Sequence, residues 1–142
     1  MTTKSKFAVH LHNAKRAGRH YDIRFKQPNG INWDSFATKK EPPMKSTDSK
    51  IIVFRTRVHS EKEALFTGEI KSGYGAGKLS LVDKGTCEFE RYSNRHIAVR
   101  FHGKKFKGIY HFISIAYSKA KSANYGKKAY LFFKGKDDNY EG

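Results

Sequence analysis

Nine short segments of the chain carry the signals of β-strands, because apolar and polar residues alternate in them or β-branched and aromatic residues are concentrated there. The segments are Phe7–His12, His20–Lys26, Ile31–Ala37, Ile51–His59, Lys78–Val82, Cys87–Tyr92, His96–His102, Gly108–Tyr117 and Ala129–Lys134. No segment sustains a 3.6-residue apolar period, so we expect helices to be few and short. The pattern favours an all-β fold.

Turn-forming residues separate these segments. They occur at Pro28-Asn29-Gly30, Glu41-Pro42-Pro43, Gly73–Gly77, Asp83-Lys84-Gly85 and His102-Gly103-Lys104-Lys105. Strands at this spacing predict an antiparallel barrel or sandwich, in which closure removes exposed strand edges. We expect one domain over residues 1–142, with frayed ends at 1–6 and 137–142. Two polar segments, 39–50 and 118–128, are predicted to be surface loops.

The chain is strongly basic. Its 142 residues include 29 Lys and Arg against 13 Asp and Glu, which gives a formal net charge of +16. Such a charge points to a polyanionic partner, most simply a nucleic acid. An aromatic content of 14% argues against plain disorder.

Other features exclude three classes of protein. No apolar run approaches the ~20 residues of a membrane span, and MTTKSKFAVH has no signal-peptide core. The one cysteine, Cys87, excludes an internal disulfide and a multi-cysteine metal site. We therefore expect a cytoplasmic protein that is not secreted, membrane-bound or a zinc finger.

Residues 7–25, FAVHLHNAKRAGRHYDIRF, carry the most informative polar pattern. Alternation places Phe7, Val9 and Leu11 on one face of the first strand, with His10 and His12 on the other. In the second strand, the residues opposite the apolar face are His20, Asp22 and Arg24. If the two strands pair, one face carries His12 and these three side chains within reach of one another.

Two imidazoles and a carboxylate form a plausible site for Mn, Zn, Fe or Co. The guanidinium of Arg24 is not a ligand, but its fork geometry suits a phosphate. On spacing alone, the alternative is a set of polar residues on the wet face of a hairpin. His10 competes with His12 as a ligand, because both point the same way.

His59 ends a predicted strand among basic residues. There it would bind a phosphate or protonate a leaving oxygen; the alternative is an ordinary surface histidine.

The glycines of Gly73–Gly77 match neither a Walker loop nor a dinucleotide fingerprint, so a structural β-turn is the preferred interpretation. Cys87 has no paired base nearby in the sequence, which gives no support for a cysteine nucleophile.

At these residues the sequence resembles the 3′-phosphoesterase domain of bacterial DNA ligase D, which also occurs as a stand-alone protein. The resemblance runs from Phe7 to about Lys136 through four collinear blocks. These are FAVHLHNAKRAGRHYDIRF at 7–25, FATKKEPP at 36–43, FTGEIKSGYGAGKLSLVDKGT at 66–86 and GKKFKGIY at 103–110. The third block is the most specific match.

The resemblance implies a closed antiparallel barrel of about eight strands with a manganese-dependent activity on 3′ ends. Such enzymes remove a 3′-terminal ribonucleotide and then the 3′-phosphate, leaving a 3′-OH. Carried over by position, the metal ligands are His12, His20 and Asp22. The expected phosphate contacts are Arg24, Lys40, Lys50 and His59, with His59 either contacting the phosphate or acting as an acid.

Two positions depart from the family pattern close to His59. Arg57 stands where the family commonly has a carboxylate, and Glu63 stands where it has a tyrosine. A carboxylate near a phosphate would repel it unless the carboxylate is protonated or turned away. These differences bear on removal of the 3′-phosphate more than on the metal site.

We therefore expect a monomeric metal-dependent phosphoesterase acting on 3′ ends of DNA or RNA, with a separate ligase or polymerase as a partner and no membrane. Tyr74, Phe106 and Tyr125 are candidates to stack on a terminal base, although core packing is the commoner use of aromatics. The rival class is a non-catalytic, basic nucleic-acid-binding barrel, and a ribosomal-type structural protein is a weaker third option.

Overall fold

A computed structural model describes residues 3–116, 126 and 128–136 of the chain. Its strands are β1 (Thr3–Ala14), β2 (Gly18–Lys26), β3 (Trp33–Thr38), β4 (Ile51–Arg55), β5 (Gly68–Ile70), β6 (Gly77–Tyr92), β7 (His96–His102), β8 (Lys107–Ser114) and β9 (Ala129–Lys134). One short helix in the described part, α1, spans Glu61–Leu65. No helix among these residues is long and apolar enough to cross a membrane.

Eight of the described strands close into an antiparallel barrel. They pair in the order β1-β2-β3-β4-β9-β8-β7-β6, and β6 pairs back onto β1. The short strand β5 lies outside this ring, on the first part of β6. The predicted all-β class and closed barrel of about eight strands are confirmed, and the alternative of an open sandwich is excluded because the ring is complete.

The interior of the barrel is packed with aromatic side chains. Phe25 contacts Phe36, Phe89 and Phe112, with ring centroids 5.4–5.8 Å apart. The alternation predicted for β1 and β2 decides which side chains enter this interior, since Phe7 and its apolar neighbours join the core. The polar residues of the same strands consequently project from the outer face of the barrel.

Strand β6 differs from the prediction of two strands separated by a turn at Asp83-Lys84-Gly85. It runs without a break from Gly77 to Tyr92, because β1 pairs with residues 77–89 and a bulge opposite Val9 and His10 absorbs the irregularity. Asp83 makes no local hairpin. Its buried carboxylate accepts hydrogen bonds from the backbone N–H groups of 104, 105 and 106, in the β7–β8 turn.

Other boundaries also differ from the sequence-based expectations. Strand β4 ends at Arg55, and His59 keeps only an isolated bridge to Trp33. Residues 3–6, expected to be frayed, belong to β1 because they pair with residues 86–89. The predicted end at 137–142 and nearly all of the predicted loop 118–128 lie outside the described residues.

Candidate metal centre and phosphate cleft

The polar face predicted for β1 and β2 lies on the outside of the barrel, where β3 extends it. His12 pairs with His20, and Asp22 pairs with Ala37 of β3. The segment from α1 to Gly77 returns over this face, because Ala64 packs in a cluster with Ala8 and Trp33. The site is therefore formed between a rigid sheet and a covering segment.

His12, His20 and Asp22 are brought together at one point. Nδ1 of His12 lies 3.5 Å from Oδ2 of Asp22, and Nε2 of His20 lies 3.3 Å from Oδ1 of the same carboxylate. One candidate ligand atom from each residue lies within 4.8 Å of the others. Three groups of this chemistry can hold a divalent transition metal and leave positions open for water and substrate.

Backbone carbonyls fix the tautomers of both histidines. A carbonyl only accepts, so Nε2 of His12 donates to the Gly75 oxygen at 2.9 Å, and Nδ1 of His20 donates to the Gly18 oxygen at 3.2 Å. The other nitrogen of each ring faces Asp22. It donates to the carboxylate when the ring is protonated, and it presents a lone pair to a metal when the ring is neutral. This is the arrangement in which outer partners orient metal-binding imidazoles.

The carboxylate of Asp22 is buried and ionised. Burial raises its pKa, but the hydrogen bond with His20 and the charge of Arg24 together bring the pKa below its usual value. The same hydrogen bond raises the pKa of His20. Oδ2 of Asp22 is buried without a hydrogen-bond partner among the described residues. An unsatisfied anionic oxygen beside Nδ1 of His12, on a carboxylate whose other oxygen faces His20, fits a bound cation.

Arg24 is held beside this cluster. Its Nε donates to the Ser35 hydroxyl at 3.1 Å, and its Nη2 lies 3.4 Å from Oδ2 of Asp22. Burial lowers the pKa of the guanidinium from its very high ordinary value, and the group stays charged. Within the described part of the chain, Nη1 has no hydrogen-bond partner and is available to an anion.

His10 pairs with Asp22 across β1 and β2, but it is not one of the three residues whose candidate ligand atoms converge. It is fully buried, and its Nε2 lies 3.0 Å from the Thr67 hydroxyl. Burial lowers its pKa to about 4, so the ring is neutral. The structure thus places His12 rather than His10 with His20 and Asp22.

His59 lies in the same cleft as the cluster and is held by backbone hydrogen bonds with Trp33. Burial, followed by the charges of Arg24 and Arg57, lowers its pKa to about 4. At neutral pH its ring is therefore uncharged. A neutral imidazole suits donation of a hydrogen bond to a phosphate better than delivery of a proton.

Arg57 and Glu63, the two departures from the family pattern, contact each other. Nη2 of Arg57 lies 3.1 Å from Oε2 of Glu63. Oε1 of Glu63 accepts from the Ser60 backbone N–H at 3.1 Å, which completes the capping box of α1. The hydrogen bond from Arg57 is the main reason that the pKa of Glu63 falls to about 2. The carboxylate is thus an anion paired with Arg57, and its Oε1 also lies 3.6 Å from Nδ1 of His59.

An open cleft of about 1040 Å³ lies over the cluster. The candidate phosphate contacts Lys40 and Lys50 both line it, and Nζ of Lys50 lies 4.4 Å above the ring of Phe133. Of the three candidate stacking residues, Tyr74 lines the cleft. Phe106 is wrong for that role, because it is buried in the core against Phe101. Tyr125 lies outside the described residues.

The turn predicted at Gly73–Gly77 is present, with the Ala76 N–H donating to the Gly73 carbonyl. Gly77 is required by close approach, since a Cβ there would collide with the backbone of Asn13. The contact between the Gly75 carbonyl and His12 was not predicted. The apolar wall of the cleft, formed by Ile52, Phe54 and Leu131, was also missed.

The family that matches this chain and the similar curated proteins are both described as DNA ligase D or LigD. The family described as the DNA Ligase D 3′-phosphoesterase domain matches residues 10–114. The multifunctional non-homologous end joining protein LigD of Mycolicibacterium smegmatis is 32% identical over 117 residues, which cover 74% of this chain and 15% of that protein. The corresponding DNA repair protein LigD of Mycobacterium tuberculosis strain CDC 1551 is 32% identical over 109 residues, covering 73% and 14%. The chain thus spans about 15% of the length of these curated relatives.

Proposed function

Because this chain belongs to the DNA ligase D 3′-phosphoesterase family, we propose that it is a divalent-metal-dependent hydrolase of 3′ phosphoesters. It would remove a 3′-terminal ribonucleotide, a 3′-phosphate or both from DNA or RNA ends and leave a 3′-OH. The observation that carries the proposal is the convergence of His12, His20 and Asp22 beside the fixed guanidinium of Arg24.

The metal would be held by Nδ1 of His12, Nε2 of His20 and a carboxylate oxygen of Asp22. Two nitrogens and one oxygen suit Mn²⁺, Zn²⁺, Co²⁺ or Fe²⁺, and the family resemblance favours Mn²⁺. When bound, such an ion supplies a Lewis acid for a phosphate oxygen and lowers the pKa of a water molecule. The side chains of the cleft would bind and orient the phosphate.

Arg24 would bind the scissile phosphate. Its contacts with Ser35 and Asp22 fix the plane of the guanidinium before substrate arrives. Fixed donors of this kind stabilise charge that develops on phosphoryl oxygens without reorganisation during the reaction. Lys40 and Lys50 would add positive charge along the same cleft, and phosphate contacts of this type position a strand without reading its sequence.

His59 would hold a phosphate oxygen through a neutral N–H. Its pKa of about 4 leaves few rings protonated at neutral pH. Water would attack phosphorus as the bond to the leaving oxygen breaks. The leaving oxygen is the 3′ oxygen when a 3′-phosphate is removed and the 5′ oxygen of the nucleoside when a terminal ribonucleotide is removed. Arg24 would stabilise the charge on the phosphoryl oxygens, and a second water would protonate the leaving oxygen. Oε1 of Glu63 lies 3.6 Å from Nδ1 of His59, so the ion pair with Arg57 would have to offset this negative charge when a phosphate binds at His59.

We predict that the His59 ring in the metal-free protein stays neutral from pH 8 down to about pH 5.5. A lowered pKa means that protonation begins only as the pH approaches 4. The ring signals can be followed by NMR and assigned by comparison with His59→Gln. Inorganic phosphate should move the midpoint upward. A midpoint near 6.5 without phosphate would instead support the role of acid.

In the cell, the protein would act in the cytoplasm on broken nucleic-acid ends, as a monomer, with a ligase or polymerase as a partner. The names of the relatives refer to non-homologous end joining and DNA repair, and we propose the same setting for this chain. The resulting 3′-OH is the end group that ligation or polymerisation needs.

The test is release of phosphate and nucleoside from oligonucleotides labelled at the 3′ end, with Mn²⁺ and with a chelator. One substrate carries a 3′-phosphate and the other a single 3′-terminal ribonucleotide. We expect release that depends on metal. Tight binding of both oligonucleotides with no release under any metal would favour the non-catalytic barrel, which the net charge of +16 equally supports.

A further inference from the structure

We propose that Phe54 recognises the end of a strand by stacking on the exposed face of its terminal base. This inference rests on the proposed function, because it assigns a ligand to the apolar side of the same cleft. An internal base has neighbours on both faces, whereas the last base has one face free. An aromatic ring placed beside the phosphate site would therefore distinguish an end from the interior of a strand, whatever its sequence.

The strand register places Phe54 in line with the metal centre. Asp22 of β2 pairs with Ala37 of β3, and Ala37 pairs with Phe54 of β4. Neighbouring strands lie about 4.8 Å apart, so the backbones at Asp22 and Phe54 are separated by about 10 Å. The residue between them contributes only a methyl group. The floor of the cleft is thus open from the phosphate position to the ring.

Phe54 is exposed where a phenylalanine is expected to be buried. Ile51 and Val53, whose side chains enter the barrel, are buried, while Phe54 on the outer face is 43% exposed. Ile52 and Leu131, which pair across β4 and β9, line the same cleft. Together they form a continuous apolar wall beside a cluster of charges, and a nucleotide presents the same combination of a flat apolar base and an anionic phosphate.

The charge around the wall favours a nucleic acid as the occupant. Lys39, Lys40, Lys50 and Arg57 line the cleft, and Arg24 lies at its inner end. An apolar peptide would match the wall but would bring no anion to the lysines of the cleft. Tyr74 also lines the cleft and is 73% exposed, but it follows Gly73 in the turn that supports His12. Tyr74 is therefore the alternative residue for stacking on the terminal base, and the experiment includes its alanine variant.

The experiment measures binding without turnover, in the presence of a chelator. Oligonucleotides carry the fluorescent base 2-aminopurine either at the 3′ terminus or in the interior, and a third oligonucleotide has an abasic 3′ terminus. With the unaltered protein we expect quenching of the terminal base and not of the internal one. We also expect affinity for a terminal base about tenfold higher than for the abasic end.

Phe54→Ala should remove the terminal quenching and bring the affinity for the terminal base down to that for the abasic end. Phe54→Trp should restore both, which a merely structural role would not do, and thermal denaturation checks that each variant is folded. Ile31→Ala is the matched control, since Ile31 is 81% exposed and does not line the cleft. It should behave as the unaltered protein does.

The proposal is overturned if Phe54→Ala keeps the preference for a terminal base, or if Tyr74→Ala alone abolishes it. It is also overturned if an apolar peptide displaces the oligonucleotide from the unaltered protein but not from Phe54→Ala. Failure of the proposed function looks different. In that case no phosphate is released with any metal, while quenching of the terminal base by Phe54 remains.

Discussion

Replacing Asp22 by asparagine is expected to weaken Mn²⁺ binding more than about 100-fold and to reduce release of 3′-phosphate to background. Asp22 is the anionic member of the candidate ligand set, and its two oxygens face His20 and His12 at 3.3 and 3.5 Å. Asparagine keeps the shape of the side chain but replaces the carboxylate by a neutral amide. The negative charge that attracts a cation is therefore lost.

The measurements are calorimetric titration with Mn²⁺ and release of phosphate from a 3′-phosphorylated oligonucleotide. Asp48→Asn is a suitable control, because Asp48 is exposed and caps a surface turn at Met44 and Lys45. It should leave both measurements unchanged. A folded Asp22→Asn protein with normal metal affinity would refute the ligand set, and one with normal turnover would refute the site as a whole.

Replacing Arg24 by lysine is expected to lower kcat about 10²–10³-fold while leaving Mn²⁺ binding within a few-fold of normal. Lysine keeps the positive charge that Asp22 faces, so the metal centre should survive. It lacks the planar fork that is anchored on the Ser35 hydroxyl and lines the cleft. The substitution should therefore lower kcat and leave Mn²⁺ binding largely unchanged.

The control for this variant is Arg91→Lys, on β6, because Arg91 contacts His96 and does not line the cleft. Parallel titrations with Mn²⁺ separate the two possible defects. If Arg24→Lys turns over normally, a point charge is sufficient and the fixed guanidinium is not needed. If it loses the metal as well, Arg24 supports the metal centre and its direct role on phosphate is unsupported.

Alternation along β1 and β2 was sufficient to predict the face on which the candidate site lies, but it did not choose between His10 and His12. One residue of slip would exchange the two faces, and the burial of Phe7, Val9, Ile23 and Phe25 makes such a slip costly. This constraint excludes registers that exchange the faces, and the observed register brings His12 opposite His20. Local pattern therefore determines the face on which the polar residues lie.

Contacts distant in sequence were not predictable in this way. The carbonyl that orients His12 comes from Gly75, 63 residues further along the chain. Asp83 looked like a turn residue because Asp-Lys-Gly is common in turns. Its carboxylate instead accepts hydrogen bonds from backbone N–H groups more than twenty residues away. Pairing with β1 keeps this part of β6 extended. Tertiary pairing overrode the local preference.

The contact between Arg57 and Glu63 was also not predictable from the sequence. Taken one at a time, a missing carboxylate and an added one both looked unfavourable for phosphate binding. The structure places the two side chains 3.1 Å apart, so that the two departures compensate each other. Sequence alone could not show this, because the contact depends on how α1 folds back towards the end of β4.

The central claim is that one divalent metal bound by His12, His20 and Asp22 is required for hydrolysis at 3′ ends. The most direct test is anomalous diffraction at the manganese edge from crystals soaked in Mn²⁺ at a concentration that supports phosphate release. We predict one peak within coordination distance of His12 Nδ1, His20 Nε2 and an Asp22 oxygen. Phosphate release by protein whose peak lies elsewhere, or that shows no peak, would contradict the claim.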